Sequence, residues 1–187
     1  MTILQDAHGP LHIRPMQEVD LEQVHAIDQM SFSLPWPASS FRYELFENPN
    51  SLLWVAEIEV QGGQRQVVGA IVIWLVVDEA HIASIAVHPD YRTRCIGSRL
   101  LVTALEETIR KGCRSATLEV RAGNLISQDF YRRFRFEVVG RRPRYYRDNN
   151  EDALLMTLDG LGLDYFKWLE SGEWQKRAPV NVMRQAK

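Results

Sequence analysis

The sequence predicts a mixed α+β fold, and three observations predict it. Strand and helix patterns follow one another in the irregular order β-α-α-β-β-β-α-β-α-β-β, which does not fit the alternation of a doubly wound parallel sheet. Two neighbouring runs, Leu52 to Val60 and Val67 to Val77, are rich in Val, Ile and Trp and are separated by Gln61-Gly62-Gly63-Gln64, a hairpin signal. Ile96 to Lys111 carries Leu101, Leu105 and Ile109 at every fourth position ahead of Gly112, the pattern of an amphipathic helix ended by a glycine.

The remaining elements follow from the same rules. Leu11 to Pro15 reads as a short strand, and Glu18 to Met30 as a helix that brings Leu21, Val24, Ile27 and Asp28 near one another. Ser31 to Pro37 is a proline-containing loop, after which Ser39 or Ser40 is expected to cap a short helix through Phe46. Ile82 to Val87 is a further strand, ended by His88-Pro89-Asp90. Ala116, Leu118 and Val120 alternate with Thr117, Glu119 and Arg121, giving a strand with one apolar and one polar face. Asn124 caps a helix whose expected buried stripe is Ile126, Phe130 and Phe134, and Phe136 to Gly140 and Ala153 to Leu158 close the pattern as strands. The expected organisation is an N-terminal extension over 1–10, a domain over 11–159 and a C-terminal extension over 160–187. Leu161, Leu163, Phe166, Trp168, Leu169 and Trp174 make that last segment too apolar for a free tail, so a short helix docked on the domain, or on a second subunit of a homodimer, is expected.

Composition narrows the function. The 187 residues are 45% hydrophobic and 25% charged, as in an ordinary soluble globular protein. A formal net charge of -2 gives no electrostatic case for binding nucleic acid. Arg132, Arg133, Arg135, Arg141, Arg142, Arg144 and Arg147 nevertheless crowd one stretch, either as a solvated basic surface or as an anion site. Cys95 and Cys113 form no disulfide framework, and no run approaches the ~18–20 apolar residues of a membrane span. Met1 to Pro10 contains Asp6 and no apolar block, so it is not a signal peptide, and a cytoplasmic location with no membrane partner is expected. His81 and His88 have no partner at metal-ligand spacing, so no metal is expected.

Chemistry concentrates between His88 and Leu105. There a strand gives way to the loop Arg92-Thr93-Arg94-Cys95-Ile96-Gly97 and then to a helix. The first amides of a helix lack internal acceptors and sit at the positive end of its dipole, so an anion is favoured there. Arg92 and Arg94 add charge, and Gly97 permits close approach of a ligand to the backbone.

Ile85-Ala86-Val87-His88-Pro89-Asp90-Tyr91-Arg92, followed by this loop and Gly97-Ser98-Arg99-Leu100-Leu101, resembles the cofactor motif of the GNAT superfamily of acyl-CoA-dependent N-acyltransferases. That motif reads Arg or Gln, two variable residues, Gly, one variable residue, then Gly or Ala. The likeness runs from Leu11 to Asp159. Within the superfamily the chain is similar to the ribosomal-protein alanine N-acetyltransferases and their relatives that acetylate protein N-termini. The closer likeness rests on Phe32-Ser33-Leu34-Pro35-Trp36 with Phe41 and Glu44-Leu45, on Leu118 to Asn124 with Phe130-Tyr131, and on Tyr145-Tyr146 with Glu151-Asp152-Ala153.

The resemblance implies a mostly antiparallel central sheet flanked by helices and splayed into a V-shaped cleft for acetyl-CoA. The backbone of Ile85, Ala86 and Val87 would pair with the pantetheine arm, and the amides from Arg94 through Cys95, Ile96 and Gly97 to Ser98 would hold the pyrophosphate. Arg92, Thr93, Asn124 and Tyr131 would also lie at the cofactor. Glu119 matches the general base, and Tyr131 the group that protonates the departing thiolate. From the residues alone, Glu119 is equally an exposed carboxylate paired with Arg121, and Tyr131 a half-buried tyrosine beside the sheet. Trp36, Tyr145 and Tyr146 are candidates to line the cleft for a protein or peptide N-terminus, though aromatics also simply pack. A small amine or a lysine side chain as acceptor, or a non-catalytic binding module, are the alternatives.

The chain departs from the family at glycines: close relatives carry Gly where it has Thr93, Cys95 and Arg135. If those positions need a positive φ, each side chain costs on the order of 1–2 kcal/mol. At ~1.4 kcal/mol per decade, that would weaken cofactor binding about tenfold per site.

Overall fold

The protein is described from a computed structural model covering residues 5–6, 9–60 and 62–176. Gln61 of the expected hairpin loop, and parts of both expected extensions, lie outside the described residues. Strand β1 (Gln5–Asp6) pairs with β2 (Gly9–Pro15), and a single helical turn leads into α1 (Leu21–Ser31) and α2 (Ala38–Phe46). The hairpin β3 (Ser51–Glu59) and β4 (Arg65–Val76) follows, then β5 (Glu79–Val87) and α3 (Ile96–Arg110). The chain continues through β6 (Ser115–Arg121), α4 (Leu125–Arg133), β7 (Glu137–Tyr146), β8 (Glu151–Asp159) and α5 (Leu163–Ser171).

The strands form one sheet in the order β1-β2-β3-β4-β5-β6-β8-β7, antiparallel except for β5 against β6. That parallel pairing joins Glu79 to Ser115, Ala80 to Ala116 and His81 to Thr117, and goes no further. Immediately beyond it, Ala83 is an extra residue in β5, since Ile73 faces Ile82 while Val72 faces Ser84. A bulge of this kind bends its strand, and from here β5 and β6 diverge. The outer edge of β5 from Ile82 to Val87 therefore faces the resulting V with no strand paired to it among the described residues.

Both faces of the sheet are covered, which accounts for the near-continuous apolar runs of β3 and β4. On one face Ile71, Ile73, Leu100, Leu101, Leu105, Leu118 and Met156 pack around α3. On the other, Val24, Ile27 and Phe41 of α1 and α2 cover Val55, Ala70 and Val72. Tyr165, Leu169 and Trp174, from α5 and the turn after it, join the α3 layer, whereas Leu163 points to solvent.

Two local expectations need correction. Ile126 is exposed rather than part of a buried stripe; α4 buries Gln128 and Tyr131 and ends on the buried Phe134, while Phe130 is half-covered. Gln128 is buried for its hydrogen bonds, because its side-chain amide donates to the carbonyls of Arg121 (3.1 Å) and Ala122 (2.8 Å). Neither Ser39 nor Ser40 caps α2. Pro37, with φ -58° and ψ 145°, occupies the cap position, and both serines lie in the first turn.

Candidate active site

The cleft between the splayed strands brings together groups that lie far apart in sequence. One wall is the free edge of β5, which runs into the N-terminus of α3. Side chains of the intervening loop bond largely to their own backbone. Arg92 donates from Nε to the Val87 carbonyl (3.0 Å) and reaches the Ser31 hydroxyl (3.2 Å). Thr93 Oγ1 donates to the Arg92 carbonyl (2.6 Å), and Arg94 donates to that of Asp90 (3.2 Å) while lying over the Tyr91 ring. Arg99 N closes the first helical bond to Cys95 O, so among the described residues the amides of Ile96, Gly97 and Ser98 remain as the unpaired donors of the helix end. These are groups that fit a pyrophosphate. A Cβ on Gly97 would meet Val87 and Phe130 only at ordinary contact distances of 3.7 and 3.9 Å, so the protein's own packing does not demand this glycine. It does demand Gly69. There a Cβ would stand 3.0 Å from the Ala86 carbonyl oxygen and 3.1 Å from Leu100, blocking the seat of α3 on β4 and β5.

On the opposite wall, Glu119 of β6 is nearly enclosed, its side chain 9% exposed. Its carboxylate is bracketed: Oε2 lies 3.3 Å from His81 Nε2 on β5, and Oε1 lies 3.1 Å from an Arg142 nitrogen on β7. The alternative pairing with Arg121 does not form. Arg121 instead bonds Asp148 (2.7 Å), Glu151 (3.1 Å), Asn149 (3.2 Å) and Ser33 (2.8 Å), with its guanidinium 3.9 Å over the Tyr146 ring. Ser33 also donates to Asp148 (2.5 Å), so the loop between α1 and α2 is tied to the loop between β7 and β8 across the cleft.

The aromatic candidates flank Glu119. On one side Trp36 stacks on Trp74 (6.0 Å), which stacks on His81 (5.4 Å), and Trp74 Nε1 donates to Glu44 (2.9 Å). The Trp36 amide is held by the buried Asp28 carboxylate at 2.7 Å, and burial raises the Asp28 pKa. On the other side stand Tyr145 and Tyr146 in edge contact (5.2 Å). Burial first, with nearby charges acting in both directions, pushes the Tyr146 hydroxyl up to about 12.

Tyr131 is buried against Phe130 and Phe136, so it belongs to the core as well as to the cleft. Burial, and secondarily Tyr146, drives its hydroxyl well above the ordinary tyrosine value, and no hydrogen bond is made by this hydroxyl among the described residues. The Asn124 side chain is committed to capping α4, accepting from Ser127 N at 3.0 Å.

Residues 21–136 match the model of the acetyltransferase (GNAT) family. The chain belongs to the GNAT family. A Bacillus subtilis relative, provisionally named a ribosomal protein bS18-alanine N-acetyltransferase, is 40% identical over 77% of this chain and 92% of its own length. The Escherichia coli K12 bS18-alanine N-acetyltransferase is 31% identical over 78% of this chain and 95% of its own. The crystal structure of the Escherichia coli ribosomal-protein-S18-alanine N-acetyltransferase superposes with a TM-score of 0.71 at 28% identity, covering 82% of this chain and 95% of that one. This GNAT protein is accordingly an acetyl-CoA-dependent acetyltransferase. Among the described residues no group of His, Cys, Asp and Glu is placed to hold a metal, and no helix is long and apolar enough to cross a membrane.

The family's glycine positions do take left-handed backbone here, with φ of 64° at Thr93, 59° at Cys95 and 66° at Arg135. Left-handed backbone is strained in the folded chain at a residue that carries a Cβ. Thr93→Gly and Cys95→Gly are each expected to raise Tm by about 1–4 °C. Relief of about 1–2 kcal/mol outweighs the roughly 0.5–1 kcal/mol entropic cost of glycine, and ~1 kcal/mol moves a chain of this size by about 2–4 °C. Thermal melts with parallel calorimetry would check this, and a tenfold gain in acetyl-CoA affinity would instead place the strain in the binding step. Arg135 differs from the other two. It closes α4 with bonds from Arg135 N to Arg132 O and from Phe136 N to Tyr131 O, the arrangement that favours glycine. Its guanidinium lies 4.3 Å over Trp168 of α5, a contact glycine cannot make.

His81, Trp74, Asp28 and the Ser33–Asp148–Arg121 tie are site features that the sequence did not single out. His81 and Trp74 meet on neighbouring strands and the tie joins loops far apart in sequence, while Asp28 holds a backbone amide, so none carries a local signal.

Proposed function

We propose that the protein transfers the acetyl group of acetyl-CoA to the α-amine of a protein or peptide N-terminus, with the ribosomal proteins as the first acceptors to test. The observation that carries this is the nearly enclosed Glu119 carboxylate, beside which the loop carrying Ser33 and Trp36 is tied to the loop after Tyr145 and Tyr146. A carboxylate with so little exposure suits the end of a chain entering tip first. The base required is modest: an α-amine of pKa ~7.7–8.0 is already neutral in roughly a tenth of molecules at pH 7, whereas a lysine near ~10.4 is almost wholly charged.

In this reading Glu119 takes a proton from the acceptor, and the neutral nitrogen attacks the thioester carbon. The C–S bond breaks as the N–C bond forms, CoA leaves as thiolate beside the Tyr131 hydroxyl, and the nitrogen releases its second proton to solvent as the amide forms. His81 orients Glu119 from within. Free β5 edge and α3 amides hold the co-substrate. The names of the bS18-alanine relatives favour an N-terminal acceptor.

The test is a panel of peptides with free N-termini, N-terminally blocked peptides with internal lysines, and polyamines, followed by CoA release and by mass spectrometry of the modified atom. Acetylation confined to α-amines is expected. Equal turnover of blocked lysine peptides or of polyamines would overturn the proposal.

A further inference from the structure

The arginine-rich stretch from Arg132 to Arg147 resolves into members with quite different roles. Arg132 is paired with Asp129 of its own helix (2.8 Å), and Arg135 stacks on the C-terminal helix. Arg141 bonds Asp152 (2.6 Å) on the other face of the sheet, since it is in register with Leu154, whereas Arg142 is in register with Ala153 on the face that carries Glu119. Arg142 is therefore the member of the stretch that is joined to the catalytic carboxylate. It lies on β7, at the edge of the sheet, and its side chain is 54% exposed. Its guanidinium lies between the Tyr145 ring (5.6 Å) and Glu119 Oε1 (3.1 Å).

Any acceptor nitrogen that gives a proton to Glu119 must come within hydrogen-bond reach of it. The acceptor's first residues must then pass Arg142. An exposed arginine exchanges one carboxylate for another at small net cost, so an acidic side chain just behind the acceptor's N-terminus can take Arg142 and leave Glu119 Oε1 open to the amine. A basic side chain in that place meets the like charge of Arg142 and competes with it for Glu119.

We propose that Arg142 is a specificity-determining residue that selects acceptors bearing Asp or Glu at the second or third position. The inference rests on the N-terminal acetyltransferase reading and adds to it a chemical class of acceptor. A fully charge-assisted arginine–carboxylate contact is replaced by a neutral one when the acid becomes its amide, which at an exposed site corresponds to about a five- to tenfold difference in kcat/KM.

The experiment measures kcat/KM for peptides identical except for Asp, Asn or Lys at the second or third residue, using the wild-type protein, Arg142→Gln and Arg142→Glu. Because residue 142 touches Glu119, the readout is the ratio among peptides within one enzyme, which a general loss of rate does not move. The expected order for the wild type is Asp above Asn above Lys. Arg142→Gln should flatten it and Arg142→Glu should reverse it. Ratios that are the same in all three proteins, or a wild-type preference for the lysine peptide, would overturn this inference alone. No turnover of any N-terminal peptide, with lysine peptides or polyamines acetylated instead, would overturn it together with the reading beneath it.

Discussion

Glu119→Gln is expected to lower kcat by about 10²- to 10⁴-fold, the range for losing a positioned general base, while the melting temperature and the affinity for acetyl-CoA change little. The amide has the same shape and still offers one oxygen, so the ladder between β6 and β8, in which Glu119 faces Leu155, is undisturbed. What is lost is the negative charge between His81 and Arg142 and, in the proposed mechanism, the site that takes the acceptor's proton. The defect should shrink as pH rises above the α-amine range of about 7.7–8.0, because the acceptor then arrives already neutral. A purely structural role for Glu119 would give no such recovery. His81→Ala supplies a control of intermediate severity: it leaves the carboxylate but removes the group that fixes Oε2, so it should cost less than Glu119→Gln and change the pH profile less. Wild-type turnover from Glu119→Gln would take this residue out of the mechanism.

The legibility of this protein followed the range of the interactions involved. Helix α3 was readable because Leu101, Leu105 and Ile109 lie within one amphipathic segment ended by Gly112, which takes φ 88°. The Asn124 cap was equally local. The splay of β5 from β6 had no local signature, since strand pairing is decided by partners distant in sequence; it came only with the resemblance. Periodicity placed Phe130 and Phe134 against the core but misplaced Ile126 and missed Gln128, because it weighs hydrophobicity alone and Gln128 is buried by the two carbonyls it satisfies. Tyr165 escaped notice for a related reason. Its ring sits in the core while its hydroxyl donates to the Phe134 carbonyl at 2.8 Å, tying α5 to the end of α4. Glu119 looked like one of a pair with Arg121 because residues two apart share a strand face. Stronger partners for Arg121, the carboxylates of Asp148 and Glu151, come from another loop.

Tyr131→Phe is expected to lower kcat by about 10²- to 10³-fold, the magnitude of removing one preorganised donor from a developing negative charge. The size of the effect follows from where the hydroxyl is. Burial holds its pKa well above the ordinary value near 10, so it stays protonated across the working pH range and is always available as a donor. That same elevation changes its role. A thiol near ~8.5 is far more acidic than this tyrosine, so complete proton transfer to the departing sulfur is uphill. The hydroxyl therefore serves better as a hydrogen-bond donor that stabilises the thiolate than as an acid that protonates it. Two measurements separate these roles from a packing effect. Phenylalanine keeps the ring contacts with Phe130 (5.1 Å) and Phe136 (5.7 Å), so thermal stability should hold while turnover falls. An acetyl thioester of a more acidic thiol should also lose less on substitution, because its leaving group needs the donor less. Equal losses for both thioesters, or a fall in Tm that tracks the fall in kcat, would show that Tyr131 supports the cleft by packing and takes no part in the departure of CoA.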